Sequence, residues 1–111
     1  MTKKPEEALT LDVLRSRLRY APETGVFTWL IDGRSQTPKG SVAGTDNGNG
    51  YRAIGIAGGR YYAHRLAWFY VNGVWPHEEI DHINGDRGDN RIANLRQATR
   101  MQNNGNRTAY K

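Results

Sequence analysis

The segment that begins at Asp81 concentrates side chains suited to hydrolytic chemistry. Asp81 and His82 are adjacent, and six asparagines follow them: Asn84, Asn90, Asn94, Asn103, Asn104 and Asn106. Carboxylate and carboxamide oxygens are ligands that suit Mg²⁺, Mn²⁺ or Ca²⁺. An imidazole, with an ordinary pKa of roughly 6.5, can take a proton from water when its other nitrogen has an acceptor such as an Asn carbonyl. The segment therefore predicts one divalent cation beside a general base, a combination suited to phosphodiester hydrolysis.

The adjacency of Asp81 and His82 sets a geometric condition on such a site. Neighbouring residues on a regular strand point to opposite faces. Both can serve one site only if the strand twists or ends there, or if a phosphate is held between them. Asn84-Gly85 is a strong turn signal directly after the pair, which predicts that the strand ends there.

The charge of the chain favours a polyanionic partner. Its 111 residues fit one domain, and its formal net charge is +5. No acidic residue follows Asp89, whereas five basic ones do: Arg91, Arg96, Arg100, Arg107 and Lys111. Basic charge also keeps many soluble domains in solution, so a role in solubility remains an alternative to binding of a polyanion such as nucleic acid.

The residue types that are missing exclude several chemistries. The sequence has no cysteine, which excludes disulfides, cysteine-bound zinc and thiol catalysis. It has no run of about eighteen apolar residues, and its N-terminus lacks the apolar stretch of a secretion signal. We therefore expect a cytoplasmic protein.

Periodicity and turn signals predict the elements that must position these groups. In chain order they are a helix capped by Thr10 and running to about Arg19, a strand over 26–31, a short strand over 41–43, a hairpin over 51–63 with Gly58-Gly59 as its turn, a helix over 64–71 stopped by Gly73 and Pro76, strands over 79–83 and 95–99, and a short helix over 100–106. This predicts an α+β fold with an N-terminal helix and a small antiparallel sheet. Residues 1–75 would form a scaffold that contacts DNA, and residues 76–111 a strand–loop–strand–helix motif in the same compact unit.

The order of these residues resembles the HNH endonucleases, in particular the small phage-type and homing-type members that lack zinc-binding cysteines. The resemblance is strong over residues 60–106 and rests on His64-Arg65-Leu66-Ala67, Ile80-Asp81-His82-Ile83-Asn84-Gly85, Asp89-Asn90-Arg91-Ile92-Ala93-Asn94-Leu95-Arg96 and Thr99 through Asn103. Gly25-Val26-Phe27-Thr28-Trp29 and Gly50-Tyr51-Arg52 are similar to the region that precedes the motif in phage members.

The resemblance implies a ββα-metal fold and a role for each matching residue. Asp81 corresponds to the aspartate metal ligand and His82 to the histidine that activates water. Asn94 best corresponds to the asparagine that orients this histidine. Asn103 best corresponds to the second metal ligand, with Asn104 and Asn106 as competitors for that role.

The resemblance also implies an activity. We expect hydrolysis of double-stranded DNA with one divalent cation, Mg²⁺ before Mn²⁺, leaving 3′-hydroxyl and 5′-phosphate ends. One site cuts one strand, so a monomer would nick and a dimer could cut both strands. If the chain is phage-encoded, its cytoplasm is that of a bacterial host.

Several polar residues have plainer structural explanations. Asn84 is expected to be a turn residue, and Asn90 to cap the loop or a helical turn. His64 fits a buried core or capping group, although a supporting or DNA-contacting role stays open, and His77 fits an exposed loop. Asp86 and Asp89 would shape the loop, and Asp86 is an outside candidate for metal contact.

The arginines are the expected contacts to nucleic-acid phosphates, which would make binding sensitive to salt. The candidates are Arg52, Arg60, Arg65, Arg91, Arg96, Arg100 and Arg107. Two competing functions use the same residues. One is a DNA-binding module without activity, and the other is an RNA-directed or structure-selective nuclease.

Overall fold

The computed structural model describes residues 8–32 and 38–98, and in these residues two helices alternate with short antiparallel strands. The elements are α1 (Leu11–Arg17), β1 (Leu18–Ala21), β2 (Val26–Trp29), β3 (Thr45–Asp46), β4 (Arg52–Ile56), β5 (Gly59–Tyr62), α2 (Ala63–Asn72), β6 (Glu79–His82), a 3₁₀ turn (Ile92–Asn94) and β7 (Leu95–Ala98). They form the sheets β1–β2, β3–β4–β5 and β6–β7. The predicted α+β class is confirmed. None of the helices described is long and apolar enough to cross a membrane.

Helix α1 begins where the sequence predicts and ends two residues earlier. The Thr10 hydroxyl accepts a hydrogen bond from the Val13 amide (3.2 Å), which caps the first turn. The chain then becomes extended, because β1 pairs with β2 from Leu18 opposite Trp29. Leu18 and Tyr20 alternate into the core, and this pairing prevails over the helical leucine stripe that predicted an end near Arg19.

The hairpin β4–β5 is confirmed, but its turn is shifted by one residue. Ile56 pairs with Gly59, so the two turn residues are Ala57 and Gly58, with φ of +52° and +81°. Gly59 belongs to the strand instead of the turn. A Cβ there would lie 2.7 Å from the Tyr61 hydroxyl, so a side chain at this position would have to displace the Tyr61 ring.

Helix α2 and the final strands follow the prediction closely. Gly73, with φ of +79°, ends α2 in the left-handed conformation. Strands β6 and β7 pair antiparallel, with Asp81 opposite Arg96 and His82 opposite Leu95. The predicted helix over 100–106 lies outside the described residues.

One apolar core joins the N-terminal elements to the final strands. Most of its buried members come from the helices α1 and α2, from the strands β1, β2, β4 and β5, and from β7. They include Leu14, Leu18, Phe27, Ile54, Leu66 and Leu95. The C-terminal strand pair is therefore held against elements that lie far earlier in the chain.

Candidate active site

Strand β6 ends on the two residues that the sequence singled out. His82 is buried and Asp81 is half-buried, as the alternation of a strand requires. The strand stops immediately afterwards, where the Gly85 amide donates to the His82 carbonyl (2.8 Å) and Gly85 adopts φ of +78°. The predicted end of the strand is therefore present next to the pair.

The carboxamide that contacts the imidazole belongs to Asn90. His82 Nε2 lies 2.9 Å from Asn90 Oδ1, and Asn90 is 1% exposed. An amide oxygen only accepts, so this contact places the imidazole proton on Nε2. The lone pair then resides on Nδ1, the nitrogen that is left to accept a proton.

Asn94 does not make the contact that the resemblance implied. Its side chain is buried and accepts from the Asn84 amide (3.0 Å) while donating to Asn84 Oδ1 (3.0 Å) and to the Asp89 carbonyl (2.9 Å). These hydrogen bonds fasten the two ends of the 84–89 loop. The structure therefore places Asn90 in direct contact with His82, whereas Asn94 fastens the loop that carries Asn90.

Two residues of the first hairpin, β1–β2, contact the backbone of Asn90. The Tyr20 hydroxyl donates to the Asn90 carbonyl oxygen (2.6 Å) in a buried contact. Burial raises the pKa of Tyr20 to about 12, so the hydroxyl keeps its proton. Gly25, with φ of +75°, packs directly on the 90–91 peptide, where a Cβ would overlap the Asn90 carbonyl carbon and the Arg91 nitrogen.

The rings of His64, Tyr51 and Tyr62 form a cluster beside His82. His64 lies edge to face with His82 at a centroid distance of 4.9 Å, and Tyr51 lies 6.2 Å from His82. Tyr62 stacks on His64 at 5.3 Å and is 42% exposed, so the rings extend from His82 to solvent.

His64 differs from His82 in its hydrogen bonding. Its Nδ1 is buried and has no hydrogen-bond partner within the described parts of the chain. Burial lowers the pKa of His64 to about 3, and the neighbouring His82 and Arg65 act in the same direction. His64 is therefore a neutral imidazole at any working pH. The prediction that His64 is a buried group is confirmed.

Asp81 faces a guanidinium. Arg96 donates to Asp81 Oδ2 through Nε (3.0 Å) and lies within ion-pair distance through Nη2 (2.9 Å). Carboxylate oxygens are the donors that a hard divalent cation takes. The residues described contain no group of three His, Cys, Asp or Glu side chains that could hold a metal. The expected second ligand, Asn103, and its competitors Asn104 and Asn106 lie outside the described residues.

The loop aspartates have the structural role that the sequence predicted. Asp86 Oδ1 accepts from the Gly88 amide (2.9 Å), and Asp89 forms an ion pair with Arg91 (2.7 Å). The hydrogen bond from Arg91 lowers the pKa of Asp89 to about 2. Asn84 is a turn residue as predicted, because its Oδ1 accepts from the Asp86 amide (2.9 Å).

The candidate arginines differ in the hydrogen-bond and ion-pair partners that the structure gives them. Arg91 and Arg96 pair with aspartates, and Arg65 donates to the carbonyls of Pro76 (3.3 Å) and Glu78 (3.4 Å). Arg60 is exposed and Arg52 is half-buried on the β4–β5 hairpin. Arg100 and Arg107 lie outside the described residues.

Arg87, between Asp86 and Gly88, makes two contacts with the segment before β4. Its guanidinium lies 4.9 Å from the centre of the Tyr51 ring, and its Nη1 donates to the Asn49 carbonyl (3.0 Å). The site loop is thereby tied to the loop before β4. Neither Tyr51 nor Tyr20 carries a local signal for such a role, although Gly25 and Tyr51 both fall in the segments that resemble phage proteins.

Known proteins share both the motif and the fold of this chain. The family model for HNH endonuclease matches residues 61–105. No curated protein matches the chain. A solved structure described as "DNA binding and cleavage by the HNH homing endonuclease I-HmuI" matches with a TM-score of 0.65 and 20% identity, covering 91% of this chain and 57% of that one. The chain thus shares the fold of a protein of which it spans little more than half.

Proposed function

We propose that this chain is a metal-dependent DNA endonuclease of the HNH type that cuts one strand per active site, a proposal supported by the HNH endonuclease family model that matches residues 61–105. One observation carries the proposal. A buried imidazole, His82, is fixed through Nε2 by the Asn90 carboxamide (2.9 Å) and is adjacent in sequence to the Asp81 carboxylate. This is the arrangement of a general base with its orienting partner next to a hard oxygen ligand.

The residues of the chain account for activation of the nucleophile. His82 Nδ1 accepts a proton from water, whose oxygen attacks the phosphorus atom of the scissile diester. The bond from phosphorus to the 3′ oxygen breaks, and that oxygen takes a proton from solvent. The products are a 3′-hydroxyl and a 5′-phosphate. The imidazolium formed on His82 keeps its hydrogen bond to Asn90, because both ring nitrogens are then donors.

The donor chemistry of the site fits a divalent cation. Asp81 would hold it together with a carboxamide, for which Asn103 is the candidate, and hard oxygen donors favour Mg²⁺, with Mn²⁺ as the alternative. When bound, such an ion supplies positive charge to the phosphoryl oxygens and to the leaving oxygen. Arg96 already directs positive charge at Asp81 Oδ2.

Double-stranded DNA is the proposed partner. The net charge of +5 supports a polyanion, and the protein of similar fold, an HNH homing endonuclease, binds and cleaves DNA. Arg52 and Arg60 on the hairpin are our candidates for phosphate contacts among the described residues, since neither belongs to the ion pairs at the site.

Incubation with supercoiled plasmid tests the proposal. With Mg²⁺ or Mn²⁺ the chain should produce relaxed circles, and a chelator should abolish this. His82→Ala and Asp81→Ala should lose the activity. His77→Ala is the matched control, because this histidine is exposed on the loop before β6 and should retain wild-type cleavage.

Three outcomes would change the conclusion. Equal cleavage by the His82→Ala variant would remove this residue from the role of base. Absence of cleavage of plasmid, branched DNA and RNA with several metals, together with retained DNA binding, would identify a binding module without activity. Preferential cleavage of the branched DNA or RNA would identify a structure-selective or RNA-directed enzyme using the same site.

A further inference from the structure

We propose that Tyr20 and Gly25 of the first hairpin are positioning residues, which set the orientation of the His82 imidazole by holding the Asn90 backbone. The catalytic consequence rests on the proposed function. The effect on the imidazole itself does not, and it can be measured in a protein that cuts nothing.

The first contact is the Tyr20 hydroxyl. It donates to the Asn90 carbonyl oxygen over 2.6 Å, and Tyr20 is 5% exposed. Its ring is held by Phe27 at a centroid distance of 4.8 Å and by Tyr70 at 5.7 Å. Because the buried ring packs against both of these neighbours, its hydroxyl is held at the Asn90 carbonyl.

The second contact is the turn of the same hairpin. The Gly25 amide donates to the Ala21 carbonyl (2.7 Å), which closes the turn between β1 and β2. A side chain on Gly25 would overlap the 90–91 peptide, and its Cβ would lie 2.8 Å from the Asn90 carbonyl oxygen. The absence of a side chain at Gly25 therefore permits the hairpin to lie directly on this peptide.

Both contacts act on the residue that holds the imidazole. The backbone of Asn90 is fixed from one side by Tyr20 and Gly25, and its side chain contacts His82 Nε2 over 2.9 Å. Only the two side-chain torsions of Asn90 separate the held peptide from the held ring. A shift of the peptide is thus transmitted to His82, and misplacement of a reacting group by about 1 Å can cost a hundredfold in rate.

The test compares two Tyr→Phe variants of the full chain. Tyr20→Phe keeps the ring and removes only the hydroxyl that donates to Asn90. Tyr70→Phe is the matched control, because this ring packs in the same cluster and its hydroxyl makes no hydrogen bond among the described residues. Asn90→Ala removes the side chain that contacts His82, and Gly25→Ala would displace the 90–91 peptide by steric overlap.

The first measurement is the state of the imidazole. Long-range ¹H–¹⁵N correlation spectra at pH 8 report which nitrogen of His82 carries the proton. The wild type and Tyr70→Phe should show a single tautomer protonated on Nε2. Asn90→Ala should show a mixture, and Tyr20→Phe and Gly25→Ala should shift toward it. Unchanged His82 signals in both hairpin variants would overturn the proposal.

The second measurement is the single-turnover cleavage rate on a saturating DNA substrate. Tyr20→Phe should slow cleavage by about tenfold while DNA affinity stays within about twofold, since the hydroxyl lies behind the loop and is buried. If Tyr20→Phe cleaves DNA at the wild-type rate, the Tyr20 hydroxyl has no positioning role and Tyr20 only packs in the core. If the wild type cuts no substrate, the proposed function fails, and the imidazole spectra still decide whether the hairpin sets the orientation of His82.

Discussion

Two buried histidines lie edge to face in this molecule, and their hydrogen bonds assign them different roles. His82 has an acceptor for Nε2, so its other nitrogen is set up to take a proton. His64 has a buried Nδ1 without a partner in the portion of the chain that is described, which costs about 1–3 kcal/mol. The same burial also disfavours the charged form of His64 in the folded protein.

The pH dependence of stability should therefore carry the signature of His64. Its pKa is lowered from 6.5 to about 3, so between these values the unfolded chain binds a proton that the folded chain does not. Stability should fall as pH falls through this window, with a slope of up to about 1.4 kcal/mol per pH unit. Urea unfolding at pH 7 and pH 5 should show this loss in the wild type and a smaller loss in His64→Gln.

Asp89 does not contribute to the change in stability between pH 7 and pH 5. Its pKa is lowered from 3.8 to about 2, so its stabilising contribution is complete above about pH 4 and disappears only as pH falls toward 2. His77→Gln, at an exposed loop position, serves as the control and should keep the wild-type slope. An identical slope in His64→Gln would show that other groups produce it.

Substitutions of Asn90 and Asn94 should affect stability and activity to different extents. Asn94→Ala removes the hydrogen bonds to the Asn84 amide, to Asn84 Oδ1 and to the Asp89 carbonyl, which are partly buried, and each loss costs about 0.5–1.5 kcal/mol. Thermal unfolding should show a larger loss of stability for Asn94→Ala than for Asn90→Ala. Cleavage per folded molecule should be lower for Asn90→Ala. The reverse ranking in both assays would return the orienting role to Asn94.

At the scale of elements, short hairpins place the site and their turns determine their registers. In β4–β5 the turn residue Ala57 has φ of +52°, a conformation that costs a non-glycine residue about 1–2 kcal/mol. Two-residue turns with positive φ at both positions favour Asn-Gly. The hairpin thus contains local strain that a single substitution can remove.

Replacement of Ala57 should change stability in opposite directions for two side chains. Ala57→Asn should raise the free energy of unfolding by roughly 0.5–1 kcal/mol, because Asn tolerates the left-handed region. Ala57→Val should lower it by at least as much, since β-branched residues are disfavoured there. Chemical denaturation of both variants checks this. A destabilised Ala57→Asn would show that the turn conformation is not the limiting feature of the hairpin.

At the scale of the whole molecule, the distribution of charge decides which basic groups remain for a polyanion. The chain carries +5, yet Arg91 and Arg96 are compensated by Asp89 and Asp81. The hairpin arginines Arg52 and Arg60 take no part in these ion pairs. We therefore expect the β4–β5 hairpin to supply more of the electrostatic attraction than the site loop.

The salt dependence of DNA binding measures this distribution. The affinity for a short duplex should fall steeply between about 50 and 200 mM salt, and the logarithmic slope should decrease by about one for each phosphate contact removed. Arg60→Gln should reduce that slope more than Arg91→Gln, whose partner Asp89 already lies 2.7 Å away. Equal reductions would place the DNA across the site loop instead of the hairpin.

Local patterns in the sequence determined most elements and singled out the adjacent pair of candidate site residues, Asp81 and His82. Thr10 and Gly73 mark helix ends through contacts within one turn, and Asn84-Gly85 marks the end of β6 in the same way. Asp81 and His82 are adjacent, so their proximity needs no folding to arrange. The helix over 100–106 and the ligand role of Asn103 remain predictions, because they lie outside the described residues.

Only the tertiary structure showed which asparagine contacts His82. Asn90 and Asn94 are identical in chemistry and four residues apart, so no local pattern separates them. The path of the loop separates them, and Tyr20 and Gly25 hold that path from about seventy residues earlier in the chain. The same holds for the end of α1, where pairing with a later strand overrode a helical pattern. Contacts between distant segments have no local signature, because folding alone brings the two segments together.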